Sequence, residues 1–126
     1  MTRLPETTED EAIALAVGKA IAALRDAAQL TQEQLAEAIG VGVQQLSRFE
    51  RGAVTPSIQR LYQIADVLHC RVDRLLLSAS RRQLDQEALL SQELDGLDVQ
   101  DREALAAVTR LLASHLRGRT KRAGAR

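Results

Sequence analysis

The sequence predicts an all-α protein, and three observations carry that reading. Apolar residues recur at three- and four-residue steps along most of the chain, the period of an amphipathic helix rather than of a strand. Helix start and stop signals punctuate these stretches: a short polar residue with Glu, Gln or Asp three positions on, and Gly beyond the end. Phe49 and Tyr62 are the only aromatics in 126 residues, so the interior must be built from Leu, Ile, Val and Ala. That composition suits helices better than sheets.

The first helix is expected from about Glu9 to Ala27. Thr8 and Glu11 have the spacing of a capping box, and Ala12, Ile13, Ala16, Val17, Ala20, Ile21 and Leu24 form one apolar stripe behind it. A second capping box, Thr31 with Gln34, opens LTQEQLAEAIG, where Leu30 can staple onto Leu35. Leu35, Ala36 and Ile39 mark the buried side, and Gly40 stands just past the end. Two turns of helix cannot persist without neighbours. Only Val41 and Gly42 separate this helix from VQQLSRFERG, which has Leu46 and Phe49 as apolar contacts and Gly52 as its stop. A helix, a short turn opening on Gly and a second short helix form a helix-turn-helix unit. The outward side of the second helix carries Gln44, Gln45, Ser47, Arg48 and Arg51.

After a break at Val54–Ser57, Pro56 is expected at the first position of a fourth helix built on Ile58, Leu61, Ile64, Ala65 and Leu68. Val72, Leu75 and Leu76 mark a short fifth one, opening at Arg71-Val72-Asp73 without a good cap. Leu84, Ala88, Leu89 or Leu90, and Leu94 fit one more helix, ending near Gly96. Asp98 and Asp101 then open a final helix with Leu105, Val108, Leu111, Leu112, His115 and Leu116 along one side.

The formal charge of zero hides a layout. Residues 1–16 hold one base and four acids, residues 17–78 seven and six, residues 79–116 four and seven, and the last ten five bases and no acid. The expected organisation is a flexible N-terminus at 1–7, a helical domain at 8–78, a C-terminal helical dimerisation or partner region at 79–116, whose Leu105–Leu116 stripe needs cover, and a basic disordered tail at 117–126. That tail, RGRTKRAGAR, lacks apolar periodicity and repels itself.

Several functions are excluded by the residues themselves. The single cysteine, Cys70, rules out an intrachain disulfide and any CxxC motif, and reads as a small core residue in a reducing compartment. Neither His69 nor His115 has a partner at metal-ligand spacing, so no metal or cofactor is expected. The stretch Ala12–Leu24 is too short, and with Lys19 too charged, to span a bilayer. No nucleophile motif or glycine-rich loop appears, so the chain does not read as an enzyme. A cytoplasmic protein is the expectation.

Residues Gly18 to Leu77 resemble the Cro and lambda-repressor-like helix-turn-helix domain, the XRE family. The resemblance rests on Ile21, Leu24 and Arg25, then Leu30 to Ala36, Gly40-Val41, Leu46 to Gly52, Pro56-Ser57, Leu61, Ile64-Ala65 and Leu68. It implies a five-helix lambda-repressor-like domain followed by one or two C-terminal helices. It also implies that Val43–Arg51 is a recognition helix lying in the major groove of double-stranded DNA. Val43, Gln44 and Arg48, with Gln45 and Ser47, would reach base edges. Gln32 and the chain at Thr31, the backbone near Gly42, and Arg51 would meet phosphates. Arg25 and Glu50 would form a structural ion pair between the first helix and the recognition helix. The chemistry of the side chains agrees: Gln pairs with N6 and N7 of adenine, and Arg with both acceptors of guanine. Two departures stand out. Gly42 replaces the usual Ser or Thr cap, and Val43 is apolar where relatives are polar.

The function expected from this reading is a transcriptional regulator, more a repressor than an activator. It would bind a palindromic operator as a homodimer, because one short helix reads only a few base pairs. The competing expectation is an antitoxin or adapter that engages a protein partner through its C-terminal helices, kept open by a central region that carries a net charge of only +1.

Overall fold

The structure, a computed structural model, describes residues 5–124, with side chains from Glu9 onward. Among the described residues there is helix and no strand. The elements are α1 Pro5–Ala27, α2 Gln32–Ile39, α3 Val43–Glu50, α4 Ile58–Val67, α5 Val72–Leu77, α6 Gln83–Gln92 and α7 Val99–Gly124. Contacts divide the chain into two compact units, one reaching Leu89 and one starting at Leu90. This division lies later than the expected boundary after residue 78.

The core of the first unit takes one fully buried side chain from each of its first five helices: Ile21, Leu35, Leu46, Ile64 and Leu75. Burying each stabilises the fold by about 1.5–3 kcal/mol, and α2 to α5, six to ten residues long, have little stability of their own. Val17, Ala36, Ile39, Phe49, Leu61, Ala65 and Leu68 complete the cluster, with Leu24, Leu30, Val41 and Cys70 packed at its margin. α1 lies against α3 and α5, α2 against α3 and α4, and α4 against α5.

The caps explain where the short helices begin and end. The Thr31 side chain accepts the Gln34 N–H and the Gln34 side chain accepts the Thr31 N–H, so both halves of the capping box form. Gly40 then turns the chain through the left-handed region at φ 75°. At α4 the expectation for Pro56 is corrected. Ser57 is the cap, its hydroxyl accepting the Arg60 N–H, so the helix starts at Ile58 and Pro56 is buried just before the cap.

The start of α1 also differs. The helix begins at Pro5, inside the segment expected to be flexible, so Thr8 lies within it rather than capping it. Proline suits a first helical position, and Glu6, Glu9 and Asp10 lie where acids favour the positive end of a helix dipole. Residues 1–4 of that segment fall outside the described ones.

In the second unit, Asp98 Oδ1 accepts the Asp101 N–H at 2.8 Å and opens α7. The helix then continues past Leu116 to Gly124, so the disordered tail expected from residue 117 is corrected over its described part; residues 125–126 lie outside it. Two forces account for the continuation. Once a helix is nucleated each added residue adds a hydrogen bond, and Lys121 and Arg122 in the last turn favour the negative end of the dipole. None of the described helices is long and apolar enough to cross a membrane.

Candidate nucleic-acid interface

α3 is fixed from behind by α1, at two glycines. A Cβ at Gly18 would stand 2.3 Å from the Phe49 carbonyl oxygen and 2.6 Å from that of Glu50. A Cβ at Gly52 would stand 2.7 Å from Leu15 Cα, and Gly52 also has φ 75°. The backbone of α1 therefore runs directly over the end of α3, a distance that only glycine permits at both points.

A polar lock stands beside this crossing. Arg25 Nε donates to Glu50 Oε2 at 2.7 Å and Arg25 Nη2 to Oε1 at 3.1 Å, the bidentate geometry of a strong pair. Gln32 Nε2 donates to the same Oε1 at 2.8 Å, and Arg25 Nη1 reaches the Leu30 carbonyl at 2.8 Å. Glu50 is buried and Arg25 nearly so. The hydrogen bond to Glu50 and the field of the Glu50 and Asp26 carboxylates together hold the Arg25 guanidinium pKa above its usual value, against the opposing effect of burial. One carboxylate thus joins α1, α2 and α3, and the lock satisfies its charge internally. Among the described residues no buried side-chain nitrogen or oxygen lacks a partner.

With Leu46, Phe49 and Glu50 turned inward, the other face of α3 is open. Val43, Gln44 and Arg48 are exposed, Gln45 and Ser47 half-buried. Arg51, the C-terminal cap, is exposed and its Nε approaches the Ser47 carbonyl at 3.3 Å. Eight residues make a rod about 12 Å long. At its start Gly42 forms no side-chain cap, so the first N–H groups of α3 have no side chain across them. At the start of α2, Thr31 presents an exposed hydroxyl, and Gln32 keeps a second amide N–H beyond the one given to Glu50. Glu33, also in that first turn, adds a negative charge there.

Sequence reasoning missed two contributors to this arrangement. Gly18 carried no signal for a close approach, since the partner backbone lies some thirty residues away along the chain. Arg60, read only as part of a helix, donates through Nη1 to the Ile39 carbonyl at 2.6 Å and to Gln63 Oε1 at 2.9 Å. It thereby closes the C-terminal end of α2 with a cation, where the dipole favours one. Among the described residues no group of His, Cys, Asp and Glu has the arrangement of a metal site.

Comparison with known proteins agrees with this geometry. The family model described as Helix-turn-helix matches residues 21–75. The chain is 30% identical over 92 residues to the cryptic phage CTXphi transcriptional repressor RstR of Vibrio cholerae serotype O1, covering 73% of this chain and 80% of that protein. The chain belongs to the helix-turn-helix family. It is of the XRE type, a family of DNA-binding transcriptional regulators rather than enzymes. It is also 44% identical over 57 residues to an uncharacterised transcriptional regulator in the ATPase CF(0) region of Rhodospirillum rubrum, and spans about half of that relative, 53%. Two crystal structures of the clp gene regulator ClgR from Corynebacterium glutamicum superpose on this helix-turn-helix protein. One has 31% identity and a TM-score of 0.51, covering 53% of this chain and 87% of ClgR. The other has 29% identity and a TM-score of 0.52, covering 66% and 90%.

Proposed function

We propose that this helix-turn-helix protein is a sequence-specific transcriptional repressor that binds a palindromic operator as a homodimer. The observation that carries the reading is the division of α3 into two faces. Leu46, Phe49 and Glu50 are anchored by α1 and α2, while Val43, Gln44 and Arg48 stand exposed on the other side. A short helix held this way can enter a major groove without losing its own packing.

In this reading Gln44 pairs with an adenine, Arg48 with a guanine and Val43 meets a thymine methyl, with Gln45 and Ser47 at the edge of the same surface. The Thr31 hydroxyl, the second N–H of Gln32, the backbone at Gly42 and the Arg51 guanidinium meet phosphates and set register. Arg25 and Glu50 stay inside the protein. Repression follows from steric exclusion of polymerase at an operator that overlaps a promoter, and the relative named as a repressor supports that sign. A regulator of this kind works in the cytoplasm, where the DNA is.

Selection from random duplexes with the purified chain tests the reading. A symmetric enriched motif is expected, with Gln44→Ala relaxing choice at one position per half-site and costing about 1–3 kcal/mol there. An adapter that keeps the fold but has lost DNA binding would return no enriched sequence.

A further inference from the structure

The face of α7 that carries the aliphatic stripe also carries an ordered set of charges. At alternating steps of three and four residues stand Asp98, Asp101, Leu105, Val108, Leu112, His115, Arg119 and Arg122. From Asp101 onward these positions share one side of α7, with Asp98 at its N-terminal cap one step before, and they have the period of a two-stranded seam. Val108 and Leu112 are 60% and 56% exposed, with Leu111 and Leu116 exposed beside them, so the aliphatic centre of the seam is largely uncovered in the single chain. Two acids stand at its beginning and two bases at its end, symmetric about residue 110.

We propose that the occupant of this face is α7 of a second copy of the same chain, laid antiparallel. The register follows from the charges. With residue 110 at the two-fold axis, Asp98 faces Arg122, Asp101 faces Arg119, Leu105 faces His115 and Val108 faces Leu112, each pair occurring twice. Parallel pairing would set Asp101 on Asp101 and Arg119 on Arg119, a like-charge juxtaposition at both ends of the seam. The antiparallel pair is isologous, as closed two-fold dimers require, and it gives the basic end of α7 a use other than gripping phosphates. It deepens the homodimer in the proposed function by naming the surface and its polarity.

Sedimentation equilibrium of the full chain without DNA tests the pairing. A dimer at micromolar concentration is expected. Asp101→Arg alone and Arg119→Glu alone should each raise the dissociation constant at least about tenfold. The two together should return it to within about threefold of the original. A monomeric chain, a dimer indifferent to either single change, or two weakened singles that do not rescue each other would each overturn the proposal. Because no DNA is present, these outcomes are independent of the duplex selection. An enriched motif with a monomeric chain would defeat the pairing alone, and a rescued dimer without any motif would defeat the repressor alone.

Discussion

Glu50 is the residue on which the orientation of α3 turns, since it receives hydrogen bonds from both Arg25 and Gln32 while buried. Removing one member of a buried pair leaves the other charge uncompensated, a loss of about 3 kcal/mol or more. Arg25→Ala is therefore expected to lower the unfolding free energy by that order, read as a lower urea midpoint, and to weaken DNA binding with it. Binding that fell while the midpoint stayed fixed would place Arg25 on the phosphates instead. Gln32→Ala removes one hydrogen bond to a carboxylate that Arg25 still holds, so a smaller loss of about 1.5 kcal/mol is expected. Its effect on affinity should be uniform across duplex sequences, because a phosphate contact carries no base information. At Cys70 burial pushes the thiol pKa up, with the nearby Asp73 charge adding to it and Arg74 opposing. A raised folded pKa favours the protonated form, so this group stabilises the fold below its ordinary value of 9.0 and ceases to as pH rises above it. Alkylation of native Cys70 at pH 8 is expected to be slower than in the urea-unfolded chain.

Between elements, the decisive contact is the crossing of α1 over the end of α3. Gly18→Ala separates local from tertiary preference there. In an isolated helix alanine is better than glycine by about 1 kcal/mol. Here its Cβ would meet two backbone carbonyl oxygens that cannot rotate away, and overpacking of this kind costs about 1–3 kcal/mol. A net fall in melting temperature is expected; a rise would show that α1 can lift off α3 freely. The same crossing marks what sequence could and could not reveal. The capping box at Thr31 and the left-handed Gly40 are local, written within four or five residues, and both were legible. So was the open face of α3, because the apolar positions of an eight-residue helix define their complement. The approach of Gly18 to Phe49 and the reach of Arg60 to Ile39 depend on segments far apart in the chain, which no local pattern encodes. The start of α1 and the helical basic end of α7 were misread for another reason. Each extends a helix already nucleated, so weak local signals suffice and the absence of an apolar stripe does not stop it.

For the whole molecule the question is how a chain of zero net charge holds DNA. Counterion release sets the salt dependence of binding, with log K falling by about 0.9 per phosphate neutralised for each unit of log salt. In the proposed interface most phosphate partners are uncharged: the Thr31 hydroxyl, the Gln32 amide and the backbone at Gly42. Arg51 is the one cation assigned to a phosphate, so a dimer neutralises about two and the expected slope is about −2. The basic end of α7 decides whether that holds. Arg117, Arg119, Lys121 and Arg122 supply four more cations per chain. If all of them gripped the duplex, the slope for a dimer would steepen to about −9. Pairing of Arg119 and Arg122 with the partner's acids in an antiparallel seam withdraws those two from DNA. The slope for a dimer then stays no steeper than about −5 even if Arg117 and Lys121 reach phosphates. Titration of the selected operator between low and moderate salt discriminates the two, and charge reversal sharpens it. Arg119→Glu combined with Asp101→Arg restores the seam and should leave the slope as it was in the original chain, whereas a slope that was steep in the original chain and flattened in this variant would put the end of α7 on the phosphate backbone.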